Sequence, residues 1–228
     1  MDNLKEKVAE AFIQLEKKNL GQAEFLYREC MEECREGNPD LFKSALLGLG
    51  NVKSAQGKFD EAQEIYQQLF DAASRENDWE YSAVALHQLG AAERLSGKLK
   101  TAKETFIREY DLLQKHMPSS NALFAANYYE HGLIALSEGK LKAAKKMMQT
   151  SLDYALKSDD LVSIGYSYRG NGAVMQAIGR KEEAVKSFAT ANKMFGQAKE
   201  KLAIKEVQAI IAELENANST ENRKSELL

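Results

Sequence analysis

The stretch GNVKSAQGKFDEAQEIYQQL, residues 50–69, decides the fold of this chain, because it returns three more times in the same register. GAAERLSGKLKTAKETFIRE begins at Gly90, GLIALSEGKLKAAKKMMQTS at Gly132 and GAVMQAIGRKEEAVKSFATA at Gly172. Each copy opens on glycine, reaches a second glycine seven positions on, an alanine five further and a bulky residue four beyond that. The second glycines are Gly57, Gly97, Gly139 and Gly179; the alanines are Ala62, Ala102, Ala144 and Ala184. The bulky residues are Tyr66, Phe106, Met148 and Phe188. A degenerate first copy, KKNLGQAEFLYREC, aligns through Ala23 and Tyr27, and the five alanines are spaced 39, 40, 42 and 40 apart.

Each position has a physical reading. Segments such as ALLGLGNVKSAQ and ALHQLGAAERLS carry apolar residues at helical spacing. The second glycine, followed by Lys or Arg, fits a tight turn between helices that needs positive φ. The first glycine lies inside a helix, where it costs roughly 1 kcal/mol against alanine, and close approach of two helices explains it. The alanine and the bulky residue four on share one face of the second helix, a small site beside a large one. The unit is an antiparallel helix hairpin, repeated five times.

These residues resemble the tetratricopeptide repeat family, whose pattern places Leu-Gly early in the first helix, a glycine at the turn and Ala-x3-Phe/Tyr in the second helix. Leu49-Gly50 and Leu89-Gly90 match fully, whereas His131-Gly132 and Asn171-Gly172 keep only the glycine. The family's early Trp is replaced by Leu46, Leu86, Tyr128 and Tyr168, and its first-helix Tyr by Lys53, Glu93, Ala135 and Met175. The closing proline is absent. The repeat is also longer than the family's usual length of about 34 residues. The surplus adds about 9 Å of helix, and the resemblance therefore implies a deepened groove.

The resemblance implies an all-α, right-handed superhelical solenoid of about five hairpins with a C-terminal capping helix. The hairpins are expected at 3–37, 39–76, 78–116, 119–158 and 159–197. The polar segments REGNPD, RENDWE, KHMPSSN and KSDD between them suit capping and turns. KEKLAIKEVQAIIAELENA carries an apolar stripe of Ala203, Val207, Ile210, Ile211 and Leu214, which suits a terminal helix closing the array over 198–216. Residues 217–228 are expected to be a disordered tail.

Composition narrows the function. With 31 basic and 34 acidic residues the net charge is −3, which argues against the basic footprint of a nucleic-acid binder. No stretch approaches the roughly 20 apolar residues of a membrane span, and the start MDNLKEKVAEAF lacks the apolar core of a secretion signal. A cytoplasmic location is expected. Cys30 and Cys34 share a helix face, and buried thiols in a reducing compartment account for them without a metal. The histidines His87, His116 and His131 fall in different repeats or loops without ligand spacing. Gly48-x-Gly50 and Gly170-x-Gly172 sit inside helices and follow no strand, so helix packing explains them better than a nucleotide loop. No catalytic constellation is present, and neither an enzyme nor a cofactor is expected.

The surface left for function is the groove that the family lines with its first helices. Carried over position by position, the resemblance implies Asn51 in the second repeat, His87 and Arg94 in the third, Tyr129 in the fourth, and Tyr166, Arg169 and Gln176 in the fifth. Rings cover the side chains of a peptide, while amide and guanidinium groups hydrogen-bond its backbone or carboxylates. The family's dicarboxylate clamp is not reproduced. Its positions hold Leu47/Asn51, His87/Ala91, Tyr129/Leu133 and Arg169/Ala173, of which only Asn51 and Arg169 fit. The expectation is a non-catalytic protein- or peptide-binding adaptor. The alternatives are a stand-alone peptide-responsive regulator of the bacterial type and a self-assembling repeat protein, so homo-oligomerisation stays open.

Overall fold

A computed structural model describes residues 2–34 and 37–225. Among the described residues eleven α-helices follow one another: α1 (Asp2–Glu16), α2 (Leu20–Cys34), α3 (Pro39–Ala55), α4 (Phe59–Arg75), α5 (Trp79–Leu95), α6 (Leu99–His116), α7 (Asn121–Ser137), α8 (Leu141–Ser158), α9 (Leu161–Ala177), α10 (Lys181–Ala198) and α11 (Lys201–Ser225). Helices α3 to α10 have 17 or 18 residues each, close to about 26 Å at the standard rise of about 1.5 Å per residue. The surplus of the long repeat has gone into the helices rather than the loops. The last helix is assigned past 216 to Ser225, so the backbone of 217–225 continues it where the sequence reading expects a tail; residues 226–228 lie outside the described residues.

The chain divides into two compact units, Met1–Met117 with α1 to α6 and Pro118–Leu228 with α7 to α11. Within each, a helix packs on its hairpin partner and on the next hairpin, and first helices also lie side by side: α1 with α3 and α3 with α5 in one unit, α7 with α9 in the other.

The repeat signature is the packing code. Ala62, Ala102, Ala144 and Ala184 are fully buried, as are Tyr66, Phe106, Met148 and, within one per cent, Phe188. The bulky residue fills the space that the first-helix glycine leaves. A Cβ on Gly50 would stand 2.3 Å from the Tyr66 ring, and Gly90 meets Phe106, Gly132 meets Met148 and Gly172 meets Phe188 in the same way. At the turns the second glycine takes positive φ, +73° at Gly57 and +82° at Gly97, which closes one helix and starts the next two residues later.

Caps set the breaks between hairpins. Asn38 accepts from the Leu41 amide ahead of Pro39 at the first turn, Asp78 from the Tyr81 amide, and Asp160 from the Val162 and Ser163 amides. Ser120, before α7, makes no side-chain cap. Buried polar ties run between helices. Lys43 of α3 reaches Asp78 at 2.5 Å and Glu76 at 2.8 Å, pinning the cap of α5. In the second unit Ser151 donates to the Ala125 carbonyl and takes the Ser167 hydroxyl, both at 2.8 Å, joining α7, α8 and α9.

Candidate functional site

The seven groove residues fall into two sets, one in each unit. Asn51, His87 and Arg94 belong to α3 and α5; Tyr129, Tyr166, Arg169 and Gln176 belong to α7 and α9.

In the first unit these side chains are engaged from behind. Asn51 accepts from the hydroxyl of buried Tyr66 at 2.8 Å, an atom that also lies 3.2 Å from Ser54 Oγ. Burial pushes that phenol up to about 12, so it stays a neutral donor. His87 Nδ1 lies 3.1 Å from Glu109 Oε1, and its ring meets Phe106 edge-on. Glu109 is almost wholly buried on α6, so His87 spans the hairpin interior while a quarter of its side chain stays accessible. Arg94 is half-buried and also engaged by its surroundings.

In the second unit three of the four come together. The Tyr129 and Tyr166 rings pack edge to face with centroids 5.9 Å apart, and Tyr166 meets Phe195 in the same manner at 5.0 Å. The Arg169 guanidinium lies 5.8 Å from the Tyr166 ring centroid and 3.5 Å from the Glu206 carboxylate of α11. Tyr129 is buried, Tyr166 and Arg169 half-buried, and Gln176 exposed. Close approach of α9 to Tyr129 rests on Gly170, whose Cβ would stand 3.0 Å from that ring. Burial raises the Tyr166 phenol, with Arg169 opposing the shift. The cluster offers aromatic edge, phenol and guanidinium side by side, the chemistry that holds an amphipathic peptide side chain.

Sequence reasoning missed a second region, formed at the position where the family carries a first-helix tyrosine. Lys53 of α3 has only 3% of its side chain accessible, and its ammonium is clasped by Glu24 of α2 at 2.8 Å and Glu61 of α4 at 2.7 Å. Burial works against that charge, but the two carboxylates outweigh it and raise the ammonium overall. One repeat on, the same position is Glu93 of α5, 6% exposed, which takes the Thr105 hydroxyl at 2.7 Å. Burial raises the Glu93 carboxyl. Beside it, between α4 and α6, lies a cleft of about 630 Å³ floored by Leu89 and Glu93 and walled by Gln63, Gln67, Thr101 and Arg108, among others. The signal was present in the departure of Lys53 and Glu93 from the family's tyrosine.

Among the described residues no group of three or more His, Cys, Asp or Glu side chains is placed to hold a metal ion. No described helix is long and apolar enough to cross a membrane. Cys30 and Cys34 are buried free thiols, with Cys30 pushed up to about 11 by burial.

Residues 42–115, from α3 to the end of α6, match the tetratricopeptide repeat family model. No curated protein matches the chain in sequence. Among solved structures, the thermophilic tetratricopeptide protein TTC0263 of Thermus thermophilus superposes with a TM-score of 0.65 at 16% identity, covering 92% of this chain and 98% of that one. BtubC (BKLC) from P. vanneervenii gives 0.65 at 20% identity over 83% and 78% of the two chains. A Rap protein crystallised with competence and sporulation factor gives 0.66 at 10% identity over 96% of this chain and 66% of its own. Residues 42–115 match the tetratricopeptide repeat family, and the helix hairpins outside them keep the same register and share the fold of tetratricopeptide repeat structures.

Proposed function

We propose that this chain is a non-catalytic binding module that holds a protein or peptide segment against the first helices of its hairpins. One observation carries the reading: Tyr129, Tyr166 and Arg169, drawn from two neighbouring first helices, form a continuous aromatic and cationic cluster. Such a cluster covers apolar side chains with ring edges and pairs a carboxylate with the guanidinium, which Glu206 already does weakly from within the chain. Asn51 and His87 are less suited to lead, because Tyr66 and Glu109 occupy them.

The test is affinity capture from native lysate with wild type and an Arg169→Ala/Gln176→Ala variant of confirmed helicity, followed by calorimetry on the purified partner. Neither substituted side chain is buried, so the core stays intact. A partner bound by wild type at least about tenfold more tightly supports the reading. Equal binding by both proteins refutes it.

A second reading, a stand-alone peptide-responsive regulator, is favoured by the likeness in fold to the Rap protein complexed with competence and sporulation factor. It differs in outcome: ligand binding then changes the affinity of the chain for a further protein, which calorimetry with and without ligand measures.

A further inference from the structure

The seams between successive second helices are built alike, position for position. In the seam between α2 and α4, Gln56 of α3 donates to Glu24 at 3.0 Å. In the seam between α4 and α6, the equivalent residues are Ser96 and Gln63, and they pair again at 3.1 Å. The first seam is filled by the Lys53 ammonium, held by Glu24 and Glu61. In the second seam all three members have changed: Lys53 corresponds to Glu93, Glu24 to Gln63 and Glu61 to Thr101. No amine enters from α5, and a cleft of about 630 Å³ stands there, a volume within the usual range for ligand sites of about 300–1,000 Å³.

We propose that this cleft binds a lysine or arginine side chain of a partner protein, which takes in the second seam the place that Lys53 takes in the first. The change from Lys53 to Glu93 puts a carboxylate where the first seam holds its ammonium, while Gln63 and Thr101 stand as neutral residues in place of Glu24 and Glu61. The buried carboxylate of Glu93 receives one hydrogen-bond donor among the described side chains, Thr105, and so keeps acceptor capacity. A carboxylate at the edge of a cleft, shielded from bulk water, attracts a cation more strongly than an exposed one does. Leu89 offers an apolar floor for the aliphatic stem, the way long basic side chains bury their methylenes. Glu64 and Glu104, both exposed, add negative potential at the mouth.

The two cations beside the cleft make their direct contacts elsewhere, though both act on Glu93 at longer range. Lys98 is bound by Asp60 at 2.8 Å and by Gln63 at 2.9 Å, and the Arg108 guanidinium sits over the Phe70 ring at 5.1 Å. Burial raises the Glu93 carboxyl, with the Thr105 hydrogen bond and then the Lys98 and Arg108 charges opposing the shift. The site is made by α4, α5 and α6 and involves none of the residues of the first-helix cluster in the second unit, so it stands or falls apart from that reading.

The test pans a displayed library of random peptides, each about 12 residues long, on the full chain carrying Arg169→Ala, which silences the guanidinium of the other cluster. The expected result is enrichment of Lys or Arg at one fixed position. A labelled enriched peptide then loses at least about tenfold in affinity on Glu93→Gln, and by the same factor when its basic residue becomes norleucine. Glu93→Lys, which rebuilds an internal ammonium, abolishes binding. Enrichment without a basic position, or equal affinity for wild type and Glu93→Gln, overturns the proposal. Should Glu93→Gln fail to fold by circular dichroism, Glu64→Gln/Glu104→Gln decides. A loss of about threefold or more with a shallower salt dependence supports the proposal, and unchanged binding overturns it.

Discussion

Replacing Gly50 by alanine sets two well-defined effects against each other. In the middle of a helix the change alone favours folding by about 1 kcal/mol, because alanine restricts the unfolded chain more than glycine does. Against that, the new Cβ would lie 2.3 Å from Tyr66 Cε1 and 2.8 Å from its Cδ1 and Cζ. Ordinary contact requires the ring to retreat by about 1 Å, and overpacking of this kind costs about 1–3 kcal/mol. Tyr66 is fully buried, and its hydroxyl is tied to Asn51 and Ser54. The ring therefore has nowhere to swing without breaking bonds worth about 1 kcal/mol each. The net expectation is a loss of about 2 kcal/mol.

Trp79 is the sole tryptophan, and it lies in α5 of the same unit, stacked on His116 at 3.7 Å. Its fluorescence therefore reports unfolding of this half of the chain. In urea the Gly50→Ala midpoint should fall by about 1 M, taking a slope near ~2 kcal/mol/M. Gly21→Ala serves as the control, since a Cβ there meets nothing within 4 Å, and its midpoint should stay or rise slightly. Tyr66→Leu should rescue part of the loss, so that the double variant is less damaged than the sum of the singles. A Gly50→Ala midpoint at or above wild type would show that close helix approach is not why the first glycine recurs.

Two further perturbations probe the buried polar ties. Asp78→Ala removes both the side-chain cap of α5 and one partner of the buried Lys43 ammonium. The Trp79 transition should then lose about 2 kcal/mol, more than a cap alone contributes. Glu24 is held down at about 2, foremost by the Lys53 ammonium and then by Gln56 and Arg28. Its folded value lies below the unfolded one, so its stabilisation is full above roughly pH 4.5 and fades as pH falls through about 2. With part of the side chain accessible, the effect should be about 2 kcal/mol, read as a urea midpoint dropping between about pH 5 and pH 2. Lys53→Met should flatten that drop, and an equal drop in both proteins would dismiss the pair as its source.

The fold was legible because its information is local and repeated. A glycine that admits a ring sixteen residues later, and a glycine at the turn with positive φ, recur in register, so each copy corroborates the others. The caps at Asn38, Asp78 and Asp160 were readable for the same reason: their partners lie two or three residues away. The division between Met117 and Pro118 was not legible, because the alanine period runs across it almost unchanged. The candidate cluster was half legible. Family positions named Tyr129, Tyr166 and Arg169, but they could not tell that Tyr66 from the hairpin interior occupies Asn51, or that Glu206 from α11 reaches Arg169.

What escaped the sequence reading is of one kind: charges that find their partners on neighbouring repeats. Helical periodicity assigns a lysine or glutamate to a face, yet whether that face meets water or another charged helix depends on residues about thirty positions away. Lys53 and Glu24 are 29 apart, and Lys43 and Asp78 are 35 apart. The position that the family gives to a first-helix tyrosine makes the consequence plain. Its occupants are Lys53 and Glu93 in the first unit and Ala135 and Met175 in the second. A ring at such a position fills the seam between second helices with carbon. Lysine fills it with an ammonium clasped by two carboxylates, and glutamate places there a carboxylate that takes the Thr105 hydroxyl beside an open cleft. A repeat protein can thus keep its backbone code of glycine, alanine and bulky residue unchanged while one variable position per repeat decides whether a seam is sealed, bridged or open to a partner.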